Sequence, residues 1–382
     1  MPGAPTMTTF PLYTTSFRGI GPITARELQD RFGQALGPLE FFPVRDYDLT
    51  CFSFTGAAIE LFELGTAEDV FYRLDTMQLS GETEDLQKLQ ARFQDTLIEP
   101  GLALHRQHTV RGNRKRTTFR VVVQARDTAW RRYRRIDLQL ALSKAIGHRF
   151  PRWYAVDEEA DLEFWLQQSE HTLLLGLRLS DRQMRHRTYK VANLPGSLRP
   201  TIAYALAYLS GPGPDQVFLD PTCGAGTLLI ERARAGRHRL LIGGDLDPEA
   251  LAHAAENFGP SHRPRGLLRW DAARLPLPDA SVDRAAANLP WGRQHGALDT
   301  NPALYQATLA EVHRVLKPGG RAVFLTSEFA LFRETLKKLA GLYLVEQVRG
   351  TAILGQKADI FVVGKTDTGH FSSDLRPRNV NG

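Results

Sequence analysis

The chain has 382 residues, of which 42% are hydrophobic and 32 are glycine, and it carries a formal charge of +6. At about 150 residues per domain this length calls for two or three cores, and the ordinary apolar share excludes a long disordered chain. No apolar run reaches the ~18 residues of a membrane helix, the start MPGAPTMTTFPLYTT lacks the basic and apolar segments of an export signal, and Cys51 and Cys223 stand far apart. A cytoplasmic protein without a disulfide framework or metal site is therefore expected.

In chain order, the patterning predicts a strand from Phe10 to Thr15, a helix from Thr24 to Phe32, and strands at Glu40 to Val44 and Leu49 to Phe54. Ile59 to Leu64 reads as a further strand. Thr66 reads as a cap, with Glu68 and Asp69 as first-turn acids of a helix running through Val70, Phe71 and Leu74. A second α+β unit follows, with a helix from Thr83 to Phe93, a strand from Thr118 to Gln124, a helix from Ile136 to Ile146, and strands at Leu162 to Leu166 and Thr172 to Leu177. From about residue 200, strands alternate regularly with helices, as in a doubly wound parallel sheet. Seven strands are expected, at Val217 to Leu219, Leu240 to Gly243, Leu267 to Trp270, Val282 to Ala287, Ala322 to Thr326, Tyr343 to Val348 and Asp359 to Val363, the last two as an antiparallel edge pair. Residues 366–382 are polar and read as a flexible tail.

Charge is unevenly spread. From Glu40 to Glu99 there are thirteen acids against four Lys or Arg, whereas residues 101–152 carry fourteen Lys or Arg against two acids. The basic stretch includes Arg111, Arg114, Lys115 and Arg116, then Arg131, Arg132, Arg134 and Arg135 interleaved with Trp130 and Tyr133. Such a run can neutralise phosphates and present stacking faces, or it can be a solvated surface.

The strongest chemical signal is Asp220-Pro-Thr-Cys-Gly224-Ala-Gly226-Thr227, between an expected strand and an expected helix. Glycines there let a ligand approach the backbone, and the helix start offers free N–H groups. The Gly-Lys-Ser/Thr ending of a P-loop is absent, and Leu229 replaces the third glycine of a dinucleotide fingerprint. The next strand ends at Asp245, Leu246 and Asp247, where Asp245 can accept from ribose hydroxyls and Asp247 suits a helix N-cap. The third ends at Asp271 and Ala272. Three strands ending in Asp220, Asp245 and Asp271 favour one shared ligand over three unrelated loop acids. The fourth ends in Asn288-Leu289-Pro290-Trp291. There an Asn carbonyl and a backbone carbonyl fixed by proline can accept from an exocyclic amine, while the indole gives a planar base a stacking face.

These motifs, with Lys317-Pro-Gly-Gly320, resemble the class I S-adenosylmethionine-dependent methyltransferases over roughly residues 190–365. Leu64 to Leu74, with Arg187-Thr-Tyr-Lys and Ser197-Leu198-Arg-Pro-Thr-Ile-Ala-Tyr-Ala, is similar to the THUMP-domain RNA methyltransferases, within them to the tRNA (guanine-N2-)-methyltransferases of the TrmN type. The resemblance implies a ferredoxin-like subdomain at 1–75, a THUMP RNA-binding domain at 76–180, a linker at 181–195 and a Rossmann-like seven-stranded methyltransferase domain at 196–365. It implies S-adenosyl-L-methionine as cofactor, held by Ser197, Leu198, Asp220, Gly224, Gly226, Thr227, Asp245, Leu246, Asp271, Ala272 and Asn288. It further implies tRNA as partner, without an obligate protein partner, and methylation of the N2 amine of guanosine six in the acceptor stem. Asn288, Leu289, Pro290 and Trp291 would present that amine. The residues alone leave an rRNA guanine-N2 or N6-adenine methyltransferase open, and outside enzymes an RNA-binding protein with a degenerate sheet. Cys223 sits in the glycine loop rather than after the fourth strand and reads as a packing residue, not a nucleophile.

Overall fold

The computed structural model describes residues 8–108, 116–291, 301–353, 356–366 and 378–379. The chain divides into two compact units between Met184 and Arg185, inside the expected linker. Among the described residues no helix is long and apolar enough to cross a membrane, and no cluster of three or more His, Cys, Asp or Glu is arranged to hold a metal ion.

Unit one is a single mixed sheet with helices. Its elements are β1 (Phe10–Phe17), α1 (Gly21–Phe32), β2 (Glu40–Val44), β3 (Tyr47–Phe54), β4 (Asp69–Gln78), α2 (Glu84–Asp95), α3 (Glu99–His108), β5 (Thr118–Gln124), α4 (Arg135–Arg149), β6 (Tyr154–Ala155), β7 (Leu162–Ser169) and β8 (Thr172–Arg178). The strand order is β2-β3-β1-β4-β8-β7-β5-β6. The period-2 pattern separates two faces: Leu12, Val70, Tyr72, Phe164 and Leu175 join the main core, while Tyr13, Phe71, Trp165 and Leu174 form a second cluster on the other face. The expected boundary between residues 75 and 76 falls inside β4, which is hydrogen-bonded to β1 on one side and β8 on the other.

Two expectations fail here for physical reasons. The helix expected through Val70, Phe71 and Leu74 is strand β4, because its β-branched and aromatic residues fill a central strand buried on both faces. Thr66 caps nothing; its N–H and hydroxyl both donate to the buried Glu27 carboxylate, and Asp69 pairs with Arg178 at 2.7 Å. The strand expected at Ile59 to Leu64 is instead a 3₁₀ turn over Ala58–Glu63. Ala58, Leu61 and Leu64, three apart, are buried while Ile59 is exposed, the spacing of a three-residue turn rather than of a strand. Helix α3 has no counterpart among the elements expected from the sequence.

Unit two is the doubly wound sheet. Its elements are α5 (Pro200–Leu209), β9 (Val217–Asp220), α6 (Thr227–Arg234), β10 (Leu240–Asp245), α7 (Pro248–Phe258), β11 (Arg265–Arg269), β12 (Val282–Asn288), α8 (Asn301–Val315), β13 (Leu316–Thr326), α9 (Phe329–Lys337), β14 (Leu342–Ile353), β15 (Gln356–Lys365) and β16 (Arg378–Asn379). The strand order is β11-β10-β9-β12-β13-β15-β14-β16. All seven expected strands are present, β14 and β15 form the antiparallel pair, and the two-residue β16 adds to the outside of β14 from within the expected tail. From β9 the chain winds outward through β10 to β11, then crosses back to β12 on the other side of β9. The strand order therefore reverses between β9 and β12, and open sheets of this type bind ligands at that switch point.

The second half of the expected linker is strapped to unit two. Tyr189 donates to the fully buried Glu231 of α6 at 2.7 Å, where Arg187 also pairs at 3.4 Å. Asn257 of α7 accepts from the Ala192 N–H and donates to the Ala192 and Ala225 carbonyls. A buried carboxylate on α6 and a buried amide on α7 thus fix residues 187–192 to the two helices that pack at the glycine loop.

Candidate active site

The glycine loop connects β9 to α6. Gly226 occupies the N-cap of α6 with φ +75°, and Gly224 has φ +50°, both in the left-handed region where a side chain is strained. Their surroundings differ. A Cβ on Gly226 would press on the Ala254 Cβ at 3.1 Å and on Phe258, so this glycine lets α7 pack against the loop. A Cβ on Gly224 would meet nothing within 4 Å, so this position borders open space.

Asp245 orders the loop from the next strand: one carboxylate oxygen accepts from the Gly224 N–H at 2.9 Å and the other from the Asp247 N–H at 3.1 Å. Each oxygen keeps a further lone pair for a ligand hydroxyl. Asp247 caps α7 by accepting from the Glu249 N–H, as expected. Trp270 is buried and donates from its indole N–H to the Pro221 carbonyl at 2.9 Å, tying the end of β11 to the loop. Asp271 lies just beyond, exposed, accepting from the Ala273 N–H, with Ala272 buried beside it. Leu246 is the most exposed large apolar side chain of this edge. Ser197 approaches Thr227 at 3.4 Å between hydroxyl oxygens, and the carbonyl of the buried Leu198 accepts from Lys190.

Burial pushes the Asp220 carboxyl up to about 8, and the nearby Asp245 charge adds to the effect against the hydrogen bond from the Thr222 N–H. A cation brought to this end of β9 would offset part of that penalty. Burial also raises the Cys223 thiol well above its usual range, so it is a packing residue.

The Asn288 tetrapeptide leaves β12 across the switch point from Asp220. The Leu289 N–H donates to the Leu325 carbonyl at 3.0 Å and its side chain is buried. The Pro290 carbonyl accepts from the Tyr305 hydroxyl at 2.8 Å. The Asn288 Oδ1 and the Trp291 indole N–H are both buried with no hydrogen-bond partner among the described residues. A buried amide oxygen costs roughly 1–3 kcal/mol when left unpaired, so at this edge of the sheet Asn288 Oδ1 is an acceptor open to a donor from outside the described residues.

Arg111, Arg114 and Lys115 lie outside the described residues. Arg116 is exposed, donates to the Tyr154 hydroxyl at 2.7 Å and stands over that ring. Arg131 is corrected: its side chain is 0% exposed, donating to the Arg126 carbonyl and lying over Tyr133, so it cannot reach a phosphate. Tyr133 is likewise no stacking platform, because it is buried and donates to Asp85 at 2.9 Å. Arg132 and Arg134 are 74% and 77% exposed, each paired with one acid, and Arg135 is exposed. Nothing in the sequence marks Tyr305, Glu231 or Asn257 as supports; of the supporting residues, Tyr189 lies within the motif stretch Arg187-Thr-Tyr-Lys.

Residues 187–352 match the family model described as UPF0020, RMKL-like, methyltransferase domain. The crystal structure of TrmN from Thermus thermophilus superposes with a TM-score of 0.73 at 25% identity, covering 94% of this chain and 100% of that one. Unit two has the class I methyltransferase fold. Among curated relatives, the tRNA (guanine(6)-N(2))-methyltransferase THUMP3 of Bos taurus is 30% identical over 56% of this chain and 45% of its own length. The tRNA (guanine(6)-N2)-methyltransferase of Thermus thermophilus is 38% identical over 42% of this chain and 49% of its own. The chain spans about half the length of these curated relatives. The resemblance carried by the glycine loop, the strand-end acids and the Asn288 tetrapeptide is the one these similarities return.

Proposed function

We propose that the chain transfers a methyl group from S-adenosyl-L-methionine to the exocyclic N2 amine of a guanosine in tRNA, at position six of the acceptor stem. The reading rests most directly on the buried, unpartnered Asn288 Oδ1 at the switch point, across from the open space beside Gly224. The names of the relatives at 30% and 38% identity support the base and the nucleic acid.

The residues fit the cofactor: Gly224 leaves the space a Cβ would fill, Asp245 keeps lone pairs for ribose hydroxyls, and Asp220 gains from a cationic neighbour. Asp271 with Ala272 would border the base, and Ser197, Leu198, Gly226, Thr227 and Leu246 complete the same edge. When bound, the cofactor supplies a sulfonium-activated methyl group. Asn288 Oδ1 and the Leu289 carbonyl accept the two N–H bonds of the amine, which aims its lone pair and leaves the protein to contribute positioning rather than acid–base chemistry. Guanine N2 is paired within a stem, so the base leaves the stack at a cost of a few kcal/mol, which stacking on Trp291 partly offsets. The resulting proton leaves to water, since an amide oxygen is too weak a base to keep it. Within unit one, the THUMP-like residues 76–180 are assigned to RNA docking, with Arg116, Arg132, Arg134 and Arg135 as its exposed cations.

Incubation with methyl-labelled S-adenosylmethionine and unmodified tRNA transcript, followed by nucleoside analysis, is expected to yield N2-methylguanosine. Label in N6-methyladenosine, or none in RNA, would reject the assignment.

A further inference from the structure

Tyr305 lies in the second turn of α8, between the Asn288 tetrapeptide and Lys317-Pro-Gly-Gly320 but outside both, and is 0% exposed. Its hydroxyl oxygen stands 2.8 Å from the Pro290 carbonyl and 2.7 Å from Thr326 Oγ1. A phenol has one proton and a carbonyl can only accept, so the Tyr305 proton goes to Pro290. Thr326 must then donate its own proton to the Tyr305 oxygen. Thr326 Oγ1 in turn accepts from the Glu328 N–H at 2.9 Å. The direction of the chain is thereby fixed: Glu328 N–H to Thr326, Thr326 O–H to Tyr305, Tyr305 O–H to Pro290.

This chain ends on the Pro290 carbonyl, just beyond the last bond by which the sheet holds the tetrapeptide. Asn288 is the last residue of β12 in register with β13, opposite Leu325, and Leu289 makes one further bond to the Leu325 carbonyl. The Leu289–Pro290 peptide has no N–H, and in the Pro290–Trp291 peptide the carbonyl is the group that has a hydrogen-bond partner among the described residues, so the plane of that peptide depends on its carbonyl. The Asn288 amide oxygen has no partner among the described residues to fix it. The aim of the Asn288 amide, the Leu289 carbonyl and the Trp291 ring therefore comes from two backbone clamps, Leu289 on Leu325 and Pro290 on Tyr305.

We propose that Tyr305, backed by Thr326, is a positioning residue for methyl transfer, holding the tetrapeptide in the geometry the acceptor amine requires. This rests on the proposed function above. The competing role is packing alone, since the Tyr305 ring also belongs to the core cluster with Leu289 and Leu309.

Tyr305→Phe keeps the ring and removes only the hydroxyl. Misplacement of reacting groups by about 1 Å can cost on the order of 100-fold in rate, so the single-turnover rate should fall 10-fold to 100-fold. KM for tRNA and affinity for S-adenosylmethionine should stay within twofold. Thr326→Val should reproduce the loss, Thr326→Ser should restore it, and the double variant Tyr305→Phe/Thr326→Val should be no slower than either single one, because both break one chain. Hydrogen exchange at the Leu289 amide, which donates to the Leu325 carbonyl beside the clamp, should quicken in Tyr305→Phe and Thr326→Val but not in Thr326→Ser. That readout needs no turnover, so it tests the clamp even if the wild type methylates no guanosine, an outcome that would sink the functional reading instead. The proposal is overturned by a Tyr305→Phe rate within twofold of wild type, by a rate loss without faster exchange, or by Thr326→Ser behaving like Thr326→Val.

Discussion

Gly224→Ala separates ligand space from folding. At φ +50° an alanine pays the left-handed strain, about 1–2 kcal/mol, but its methyl group meets no protein atom within 4 Å. For a unit of this size the fold should survive with a melting temperature lower by a few degrees, given roughly 2–4 °C per kcal/mol. The methyl group instead enters the space beside the N–H that Asp245 anchors. Intruding into a fitted site costs about 1–3 kcal/mol, which at ~1.4 kcal/mol per tenfold is a 5-fold to 150-fold weaker dissociation constant for S-adenosylmethionine. Gly226→Ala supplies the contrast: its methyl group strikes Ala254 at 3.1 Å and Phe258 at 3.3 Å, so the larger loss falls on stability. Titration calorimetry and thermal unfolding of both variants check this. Wild-type cofactor affinity in a folded Gly224→Ala protein would refute the placement of the ligand.

Asn288→Ala should lower the single-turnover rate by more than tenfold while binding of both substrates stays near normal, because the amide acts on the oriented amine; pre-steady-state kinetics beside equilibrium titrations read this. Asp220 holds its proton to about 8 in the fold against an ordinary value of 3.8, so its stabilising contribution is full below about 3.8 and is lost as pH rises toward about 8. Denaturant midpoints of the ligand-free protein at pH 5 and pH 8 should therefore differ less in Asp220→Asn than in wild type. Arg131→Ala should cost stability of about 1–3 kcal/mol, since it strips a buried hydrogen-bonded guanidinium, without changing the salt dependence of tRNA binding. Replacing the exposed Arg132, Arg134 and Arg135 together should instead reduce the slope of log affinity against log salt, by up to about one unit for each phosphate that is no longer neutralised. Unfolding curves and filter binding across salt concentrations distinguish the two classes.

The parallel sheet and its ligand edge are legible in the sequence because their determinants are local. Gly224 and Gly226 mark backbone conformations that other residues resist, and Asp220, Asp245 and Asn288 each terminate an apolar strand at the same edge. Strand β4 reads as a helix because Thr66 and two acids imitate a helix start, whereas Glu27, 39 residues upstream, accepts the Thr66 N–H. Arg131 looks like its neighbours because a run of cations carries no sign of which guanidinium folds inward. Tyr305 is invisible for the same kind of reason: its partners, Pro290 and Thr326, meet it only when α8 packs on the sheet.

The proposed reaction takes place on one amine, and removing that amine tests it. Two tRNA transcripts differing only at position six, one with guanosine and one with inosine, which lacks the N2 group, are incubated with the protein and methyl-labelled S-adenosylmethionine. Nucleoside mass spectrometry should find N2-methylguanosine from the first and no methyl transfer to the second. Equal methyl incorporation into both would contradict the assignment of Asn288 as the acceptor for a guanine N2 amine.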